Sequence, residues 1–170
     1  MTNTRLYREN ITFALALPEA FADWEAPTAA ELNGALVYNI TCALNEGGTS
    51  FDLGDSDTDD SLSFCQAAGA VSPTYYNPAV AFEAFRSEDP TDDNTANTAF
   101  GLMAFPDVEY LAILRVNGAP DAVFAVGERV SLVRVKTDNP VDVIAAGENI
   151  RISNAFLSQG DVNWNYEVAA

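Results

Sequence analysis

The stretch DVNWNYEV, residues 161–168, decides the fold class because its side chains alternate strictly between polar and apolar. Val162, Trp164, Tyr166 and Val168 occupy the even positions, and only acids and asparagines lie between them. A period of two residues is typical of a β-strand with one face buried. The stretch therefore predicts a strand, and we expect Trp164 to pack in the core because valines share its face.

The same alternation recurs toward the N-terminus, in segments separated by Gly, Pro and Asn. These segments are residues 11–17, 36–44, 80–82, 110–116, 133–135 and 150–156. The pair Asn117-Gly118, a strong turn signal, follows the fourth of them. Seven or eight short strands predict a mainly β fold, a β-sandwich or barrel.

Two helices are expected to interrupt the strands. Thr28 and Glu31 have the spacing of a capping box, and Asn33-Gly34 can end a short helix two turns later. A second helix is expected to begin near Asp92 and Asp93 and to end before Pro106. Its apolar side chains recur at helical spacing, so this helix should flank one sheet face. No repeat or linker marks a boundary, which predicts a single domain over residues 1–170.

The charge balance excludes several classes of function. Among 170 residues there are 25 acids and 8 bases, giving a formal net charge of −17, and histidine is absent. Such a surface repels nucleic-acid backbones and anionic membranes, and histidine-dependent catalysis is impossible. Nowhere do 18 consecutive apolar residues occur, so no membrane span is expected. We expect a cytosolic protein that binds no cofactor and is not an enzyme.

The acidic stretch SFDLGDSDTDDSLSFC, residues 50–65, raises the question of a metal site. Asp55, Asp57 and Asp59 match positions 1, 3 and 5 of an EF-hand-like calcium loop. The match fails at position 6, where Asp60 replaces glycine, and at position 12, where Gln66 replaces glutamate. The sequence therefore favours a solvated or assembly-facing acidic loop, over about residues 45–62, and predicts no metal. A catalytic carboxylate pair is not favoured either, because no acid stands alone among apolar residues.

The bases concentrate at one place, Arg129, Arg134 and Lys136. This cluster is too small to bind nucleic acid against a net charge of −17. We interpret it as a counter-charge for acidic loops, either within the chain or across a subunit boundary.

Four stretches carry a resemblance to a known family. They are MTNTRLYRENITFALALPEAFADW (residues 1–24), NITCALNEGGTSFDLGDSDTDDSLSFCQ (39–66), FEAFRSEDPTDDNTANTAFGLMAFPDVEYLAILR (82–115) and QGDVNWNYEVA (159–169). Together they resemble the major tail tube proteins of long, non-contractile-tailed (siphovirus) phages that infect actinobacteria. The resemblance extends over the length of the chain and includes no catalytic motif.

The resemblance implies a virion tail protein, assembled in the host cytoplasm. Such proteins fold as a β-sandwich with a flanking helix and form hexameric rings, which stack around a tape-measure protein and contact terminator and distal tail proteins. It also implies an N-terminal arm over about residues 1–9 and ring-to-ring contacts through acidic loops. The contact candidates are Asp52, Asp55, Asp57, Asp59, Asp60, Glu88, Asp92 and Asp93.

The acidity then has a function, because double-stranded DNA passes through such a tube without specific binding. A basic bore would hold the DNA, whereas an anionic bore lets it slide. We expect Glu83 and Glu167, on strands, to face the channel. Two alternatives stay open: another self-assembling virion β-sandwich, such as a tail terminator, head-completion or decoration protein, or an acidic calcium- or ligand-binding module.

Overall fold

The computed structural model describes residues 10–55, 57–59, 72–75 and 77–170, and the account below concerns these residues. They form ten β-strands and two α-helices. The strands are β1 Ile11–Ala16, β2 Val37–Asn39, β3 Ser50–Leu53, β4 Asp57–Asp59, β5 Ser72–Tyr75, β6 Pro78–Phe85, β7 Glu109–Val116, β8 Arg129–Lys136, β9 Val141–Val143 and β10 Arg151–Glu167. The helices are α1 Ala29–Leu32 and α2 Thr95–Met103. Short 3-10 turns span Pro18–Ala20, Thr41–Ala43 and Glu46–Gly48.

Eight of the strands form one antiparallel sheet in the order β2-β1-β7-β8-β10-β6-β3, with β9 beside β10. β4 and β5 pair with each other in a separate two-stranded sheet. The prediction of a mainly β fold with few helices is confirmed.

β10 joins the two halves of the large sheet. Its first residues, from Arg151 to Phe156, pair with β6, and its later residues, from Leu157 to Glu167, pair with β8. The sequence predicted two separate strands here. The structure instead keeps one strand of 17 residues and shifts its register twice along β8. Gly160 and Asn165 have positive φ values at these irregularities.

The sheet folds over on itself around an aromatic core. Phe13 of β1 and Phe82 of β6 are far apart in the strand order, yet their ring centroids lie 5.6 Å apart. Phe156 of β10 contacts Phe82 edge-on at 5.4 Å. The two halves therefore face each other as in a sandwich, and α2 covers this core through buried Ala99 and Met103.

A second core lies on the opposite face of β1, β7 and β8. It contains Leu32 of α1 together with Leu111, Ile113, Leu132 and Val168. Because successive strand residues point to opposite faces, β7 and β8 are buried on both sides.

Both helices form where the sequence predicted them. The Thr28 hydroxyl accepts a hydrogen bond from the Glu31 backbone, and the Glu31 carboxylate accepts one from Thr28 N at 2.9 Å, which completes the capping box. The hydrogen bond that the carboxylate accepts from the Ala22 backbone, and then those from the Thr28 backbone and hydroxyl, lower the pKa of Glu31. α2 begins at Thr95, near Asp92 and Asp93 as predicted, and its N-cap is Asn94, whose side chain accepts from Asn97 N.

The strand predicted over residues 36–44 forms only in part. Of residues 36–44 only Val37–Asn39 pair with β1, and Thr41–Ala43 turn as a 3-10 helix. The Thr41 hydroxyl accepts a hydrogen bond from Phe13 N at 2.8 Å and donates one to Phe13 O at 3.1 Å. A threonine side chain thus takes the place of the next strand residue in the ladder.

The expectation for Trp164 is also wrong. Its side chain is 43% exposed, although its ring lies 6.0 Å from the ring of Phe51. Val162 packs against the aromatic core and Val168 lies in the second core, so the two valines do not share a face. The register shift between Asn163 and Tyr166 separates them.

Candidate functional site

Every basic side chain in the described ranges forms an ion pair with an acid of the same chain. The pairs are Arg86–Asp142, Arg115–Glu128, Arg129–Glu167, Arg134–Glu109, Arg134–Asp161, Lys136–Asp107, Arg151–Glu83 and Arg151–Glu148. The remaining bases, Arg5 and Arg8, precede the described residues. The net negative charge is therefore carried by acids that these cations do not neutralise.

The predicted basic cluster on β8 is neutralised within the chain. Arg129 lies 3.6 Å from Glu167, and Lys136 lies 3.0 Å from Asp107. Arg134 contacts Glu109 at 2.5 Å, and this hydrogen bond is the main reason that its pKa is raised. The sequence left open whether these bases pair with acids of the same chain or of a neighbouring subunit. In the structure, all three pair with acids of the same chain.

The two lumen candidates have different surroundings. Glu83 accepts a hydrogen bond from Asn45 Nδ2 at 2.6 Å and lies 2.7 Å from Arg151 Nε, and its side chain is only 13% exposed. Gly48 packs directly against this carboxylate, and a Cβ at residue 48 would lie only 2.5 Å from it. Glu167 keeps a side chain that is 65% exposed beside Arg129. Only Glu167 presents an open carboxylate.

The acidic segment that was expected to be a loop, about residues 45–62, contains strands β3 and β4. Asp52 lies exposed on β3, and Asp55 follows it, also exposed. Gly54 N donates to Asn77 O at 2.8 Å, so the β3–β6 pairing continues into β4 and β5. Asp57 and Asp59 lie on β4, and Asp60 falls outside the described residues.

Glu88, Asp92 and Asp93 are exposed on the α2 approach loop, which we define as residues 86–94. Side chains of the loop itself hold it: Asp89 accepts from the Thr91 hydroxyl at 2.6 Å and from Thr91 N at 2.8 Å. Asn97 of α2 donates to the backbone oxygens of Asp89 and Asp92. The loop has a defined shape, but its acids have no cation beside them among the ion pairs of the described residues.

Sequence reasoning missed Arg115, the most deeply buried charge in the described residues. This β7 side chain is 1% exposed and donates to the carbonyl oxygens of Ala119, Ala122 and Val123 at 2.7–3.0 Å. It also contacts Glu128 at 3.2 Å. A signal was available, since two apolar faces on β7 indicate burial on both sides, and an arginine there must find partners inside.

Arg115 thereby fixes the β7–β8 loop, residues 117–128. Asn33 reinforces it from the end of α1, because its amide donates to Phe124 O and accepts from Phe124 N, both at 2.8 Å. The guanidinium also lies 4.6 Å from the centroid of the Phe124 ring. The loop is ordered by contacts from two different elements of the fold.

In the described residues, no three His, Cys, Asp or Glu side chains converge as metal ligands. None of the helices found there has the length and apolarity needed to cross a membrane.

Comparison with known proteins resolves the family. The family model for phage tail tube protein matches residues 1–170, the entire chain. The chain belongs to the phage tail tube protein family. No curated protein sequence matches it. As a tail tube protein it is a structural component of the phage tail, in agreement with the resemblance noted in its sequence, and the family implies self-assembly into a tube with other tail proteins.

Proposed function

We propose that this tail tube protein is the major subunit of a long, non-contractile tail of a phage that infects actinobacteria. Six copies form a ring, and rings stack around the tape-measure protein into a hollow tube that ends at terminator and distal tail proteins. The family match over residues 1–170 supports the tube, and the resemblance of the four quoted stretches supports the type of tail.

The outer strands of the large sheet support the formation of rings. β2 pairs with β1, β3 pairs with β6, and no second strand from the described residues lies beside either. Such edges leave backbone donors and acceptors that a strand of another copy can use. Contact between the β2 edge of one copy and the β3 edge of the next is heterologous, and it closes into a ring when the rotation between copies allows it.

We further propose that the bore is acidic, and the ion pairs carry this proposal. All the described bases are paired within the chain, so the excess of acids, 25 against 8 bases, supports an acidic surface along the channel. DNA carries about one charge per 1.7 Å, and screening extends over roughly 8 Å at physiological salt. Repulsion at that range keeps the DNA from adhering. Glu167, whose side chain is 65% exposed, is our lumen candidate, and Glu83, which is 13% exposed, is not retained.

Contacts between successive rings are assigned to the acidic segments and to the N-terminal arm, residues 1–9. The β3–β6 hairpin extends through β4 and β5 and carries Asp52 and Asp55 exposed. The α2 approach loop presents Glu88, Asp92 and Asp93. An arm that contains Arg5 and Arg8 can supply cations to these acids in another copy.

Electron microscopy of the purified protein tests the assembly. We expect periodic stacked rings with sixfold averages and an open bore. A single closed ring would indicate a terminator-like protein instead, and a monomer under all conditions, measured by light scattering, would contradict the tube.

The lining is tested by charge reversal. In virions that carry Glu167→Lys, we expect intact tails and slower DNA ejection, because a cation in the bore attracts the phosphates. Glu19→Lys, which makes the same charge change at an exposed acid of a 3-10 turn, is the control. Equal ejection rates for both variants and the wild type would count against an acidic lining at Glu167.

A further inference from the structure

Two surfaces of the described chain expose large apolar side chains. The β7–β8 loop surface, residues 119–127, presents Val123 and Val126, which are 73% and 60% exposed. The β9 hairpin surface, residues 140–150, presents Val141, Ile144 and Ile150 at 59%, 73% and 48% exposure. Several exposed apolar side chains on one loop or hairpin offer a surface that contact with another protein can bury.

The two surfaces lie at opposite ends of β8. Arg115 pairs with Val130 at the end where the loop joins β7 to β8, and Glu109 pairs with Lys136 at the other end. β9 follows that second end and pairs with the start of β10. The 8 residues of β8 separate the surfaces by about 26 Å at 3.3 Å per residue.

Both surfaces are close to neutral on a chain with a net charge of −17. On the β9 hairpin surface, Asp142 lies 3.2 Å from Arg86, and Glu148 lies 2.8 Å from Arg151. On the β7–β8 loop surface, Asp121 is the single acid. Repulsion between copies is weakest where both partners present neutral surface, so these are the places where a second copy can approach.

The β7–β8 loop surface is also shaped in advance. Arg115 binds the carbonyl oxygens of Ala122 and Val123, and Glu128 accepts from Ala125 N at 3.0 Å. Val123 and Val126 are therefore held on a fixed backbone. Binding through such a loop loses less conformational entropy than binding through one that must first become ordered.

We propose that the β7–β8 loop surface of one copy docks on the β9 hairpin surface of the next copy. This inference rests on the proposed function, because it supplies one of the repeated contacts of the tube. Two different surfaces at opposite ends of one sheet make a head-to-tail contact, which propagates as long as copies are added. The ligand of each surface is thus a second copy of the same chain.

Two double variants test the contact, each carrying two aspartates at exposed valine or isoleucine positions. One is Val123→Asp with Val126→Asp, and the other is Val141→Asp with Ile144→Asp. Each variant alone should fail to form tubes, with apparent association weakened by about 100-fold or more, because the aspartates would be buried without partners. Circular dichroism and thermal melting should stay close to wild type, since the replaced side chains are largely exposed.

Mixing the two purified variants gives the decisive measurement. Each keeps the surface that the other lacks, so one contact per pair can form and none can propagate. Mass photometry should then show a species of twice the mass of either variant alone, and no tubes. Leu157→Asp, which adds an acid at a half-exposed leucine of the inner strand β10, outside both surfaces and away from the edge strands, should assemble like the wild type.

The outcomes separate the two proposals. If the wild type forms tubes and either double variant forms them equally well, or if the mixture gives no double-mass species, the head-to-tail contact is overturned and the tube stands. If the wild type itself forms no tubes or rings, the proposed function is overturned as well.

Discussion

Two connecting loops of this tail tube protein are ordered by opposite means. The β7–β8 loop takes its shape from Arg115, a side chain that reaches it from the buried sheet and binds three of its carbonyl oxygens. The α2 approach loop is held largely by its own side chains, among them the exposed Asp89 and the partly buried Asn94. The first loop is therefore coupled to the buried sheet. In the second, Arg86 at the start contacts Asp142 and the backbone of Ile150, whereas residues 88–93 are held by their neighbours in sequence.

The buried arginine makes the coupling strong. Taking a guanidinium out of water is costly, and hydrogen bonds offset that cost. The two terminal nitrogens of Arg115 donate to the Thr12 hydroxyl, the Glu128 carboxylate and the loop carbonyls, whereas its buried Nε has no hydrogen-bond partner among the described residues. Its removal leaves several of these groups unpaired at once.

The largest expected effect is therefore that of Arg115→Met. The methionine fills most of the volume but donates no hydrogen bond, so we expect a loss of about 3–5 kcal/mol in the free energy of unfolding. Urea denaturation measures this loss. Hydrogen exchange should show the amides of residues 119–127 losing protection more than those of the α2 approach loop.

Arg134→Met is the matched control, because Arg134 forms two ion pairs against the one of Arg115, but its side chain is 41% exposed. Exposed pairs contribute little to stability. If Arg115→Met destabilised the protein no more than Arg134→Met, the contrast between the two loops would lose its basis.

A second prediction concerns the close contact between Gly118 and the arginine. A Cβ on Gly118 would lie 2.6 Å from Arg115 Nε, and the hydrogen-bonded guanidinium has nowhere to move. We expect Gly118→Ala to lower the free energy of unfolding by about 1–3 kcal/mol through overpacking.

The control for this glycine lies in α2. A Cβ on Gly101 would meet nothing within 4 Å, and alanine is a better helix former. Gly101→Ala should raise the free energy of unfolding by about 0.5–1 kcal/mol, measured under the same conditions. Equal effects of the two alanines would contradict the packing around Arg115.

Other parts of the fold show which features the sequence alone could predict. The capping box at Thr28, the turn at Asn117-Gly118 and the alternation of β7 are local signals, and the structure confirms them. The strand-to-turn change at Thr41 was not predictable in this way. It depends on a hydroxyl bound to the backbone of Phe13, a contact between residues that are 28 positions apart.

The charged surfaces also combine features that the sequence predicts with features that depend on contacts between distant residues. The sequence identified the acids and the three bases of β8, because charge is visible in composition. It could not show that each of the three bases is paired within the chain, or that Glu83 is covered by Gly48, because those facts depend on strand order. The prediction that Trp164 is buried was wrong because a two-residue period assumes a strand without register shifts, and β10 shifts its register between Asn163 and Tyr166.

The α2 approach loop should respond more weakly to substitution. Asn94 caps α2 by accepting from Asn97 N at 2.9 Å, so Asn94→Ala should lower the free energy of unfolding by about 1 kcal/mol. Asn94→Asp keeps the acceptor and should preserve most of this stability. A loss as large as that of Arg115→Met, measured by urea denaturation, would show that this loop too is coupled to the core.

The smallest effect is expected at Asp89, where the measurement is its pKa. The Thr91 hydroxyl, and then Thr91 N, lower the pKa of this exposed carboxyl below its ordinary value. The stabilisation is therefore present above the pKa of the unfolded chain and is lost as pH falls through the lower folded pKa. Thr91→Ala removes the larger cause and keeps the backbone donor, so NMR titration should show the Asp89 pKa rising part of the way back. A pKa unchanged by Thr91→Ala would mean that the hydroxyl does not hold the carboxylate and that the loop is ordered from elsewhere.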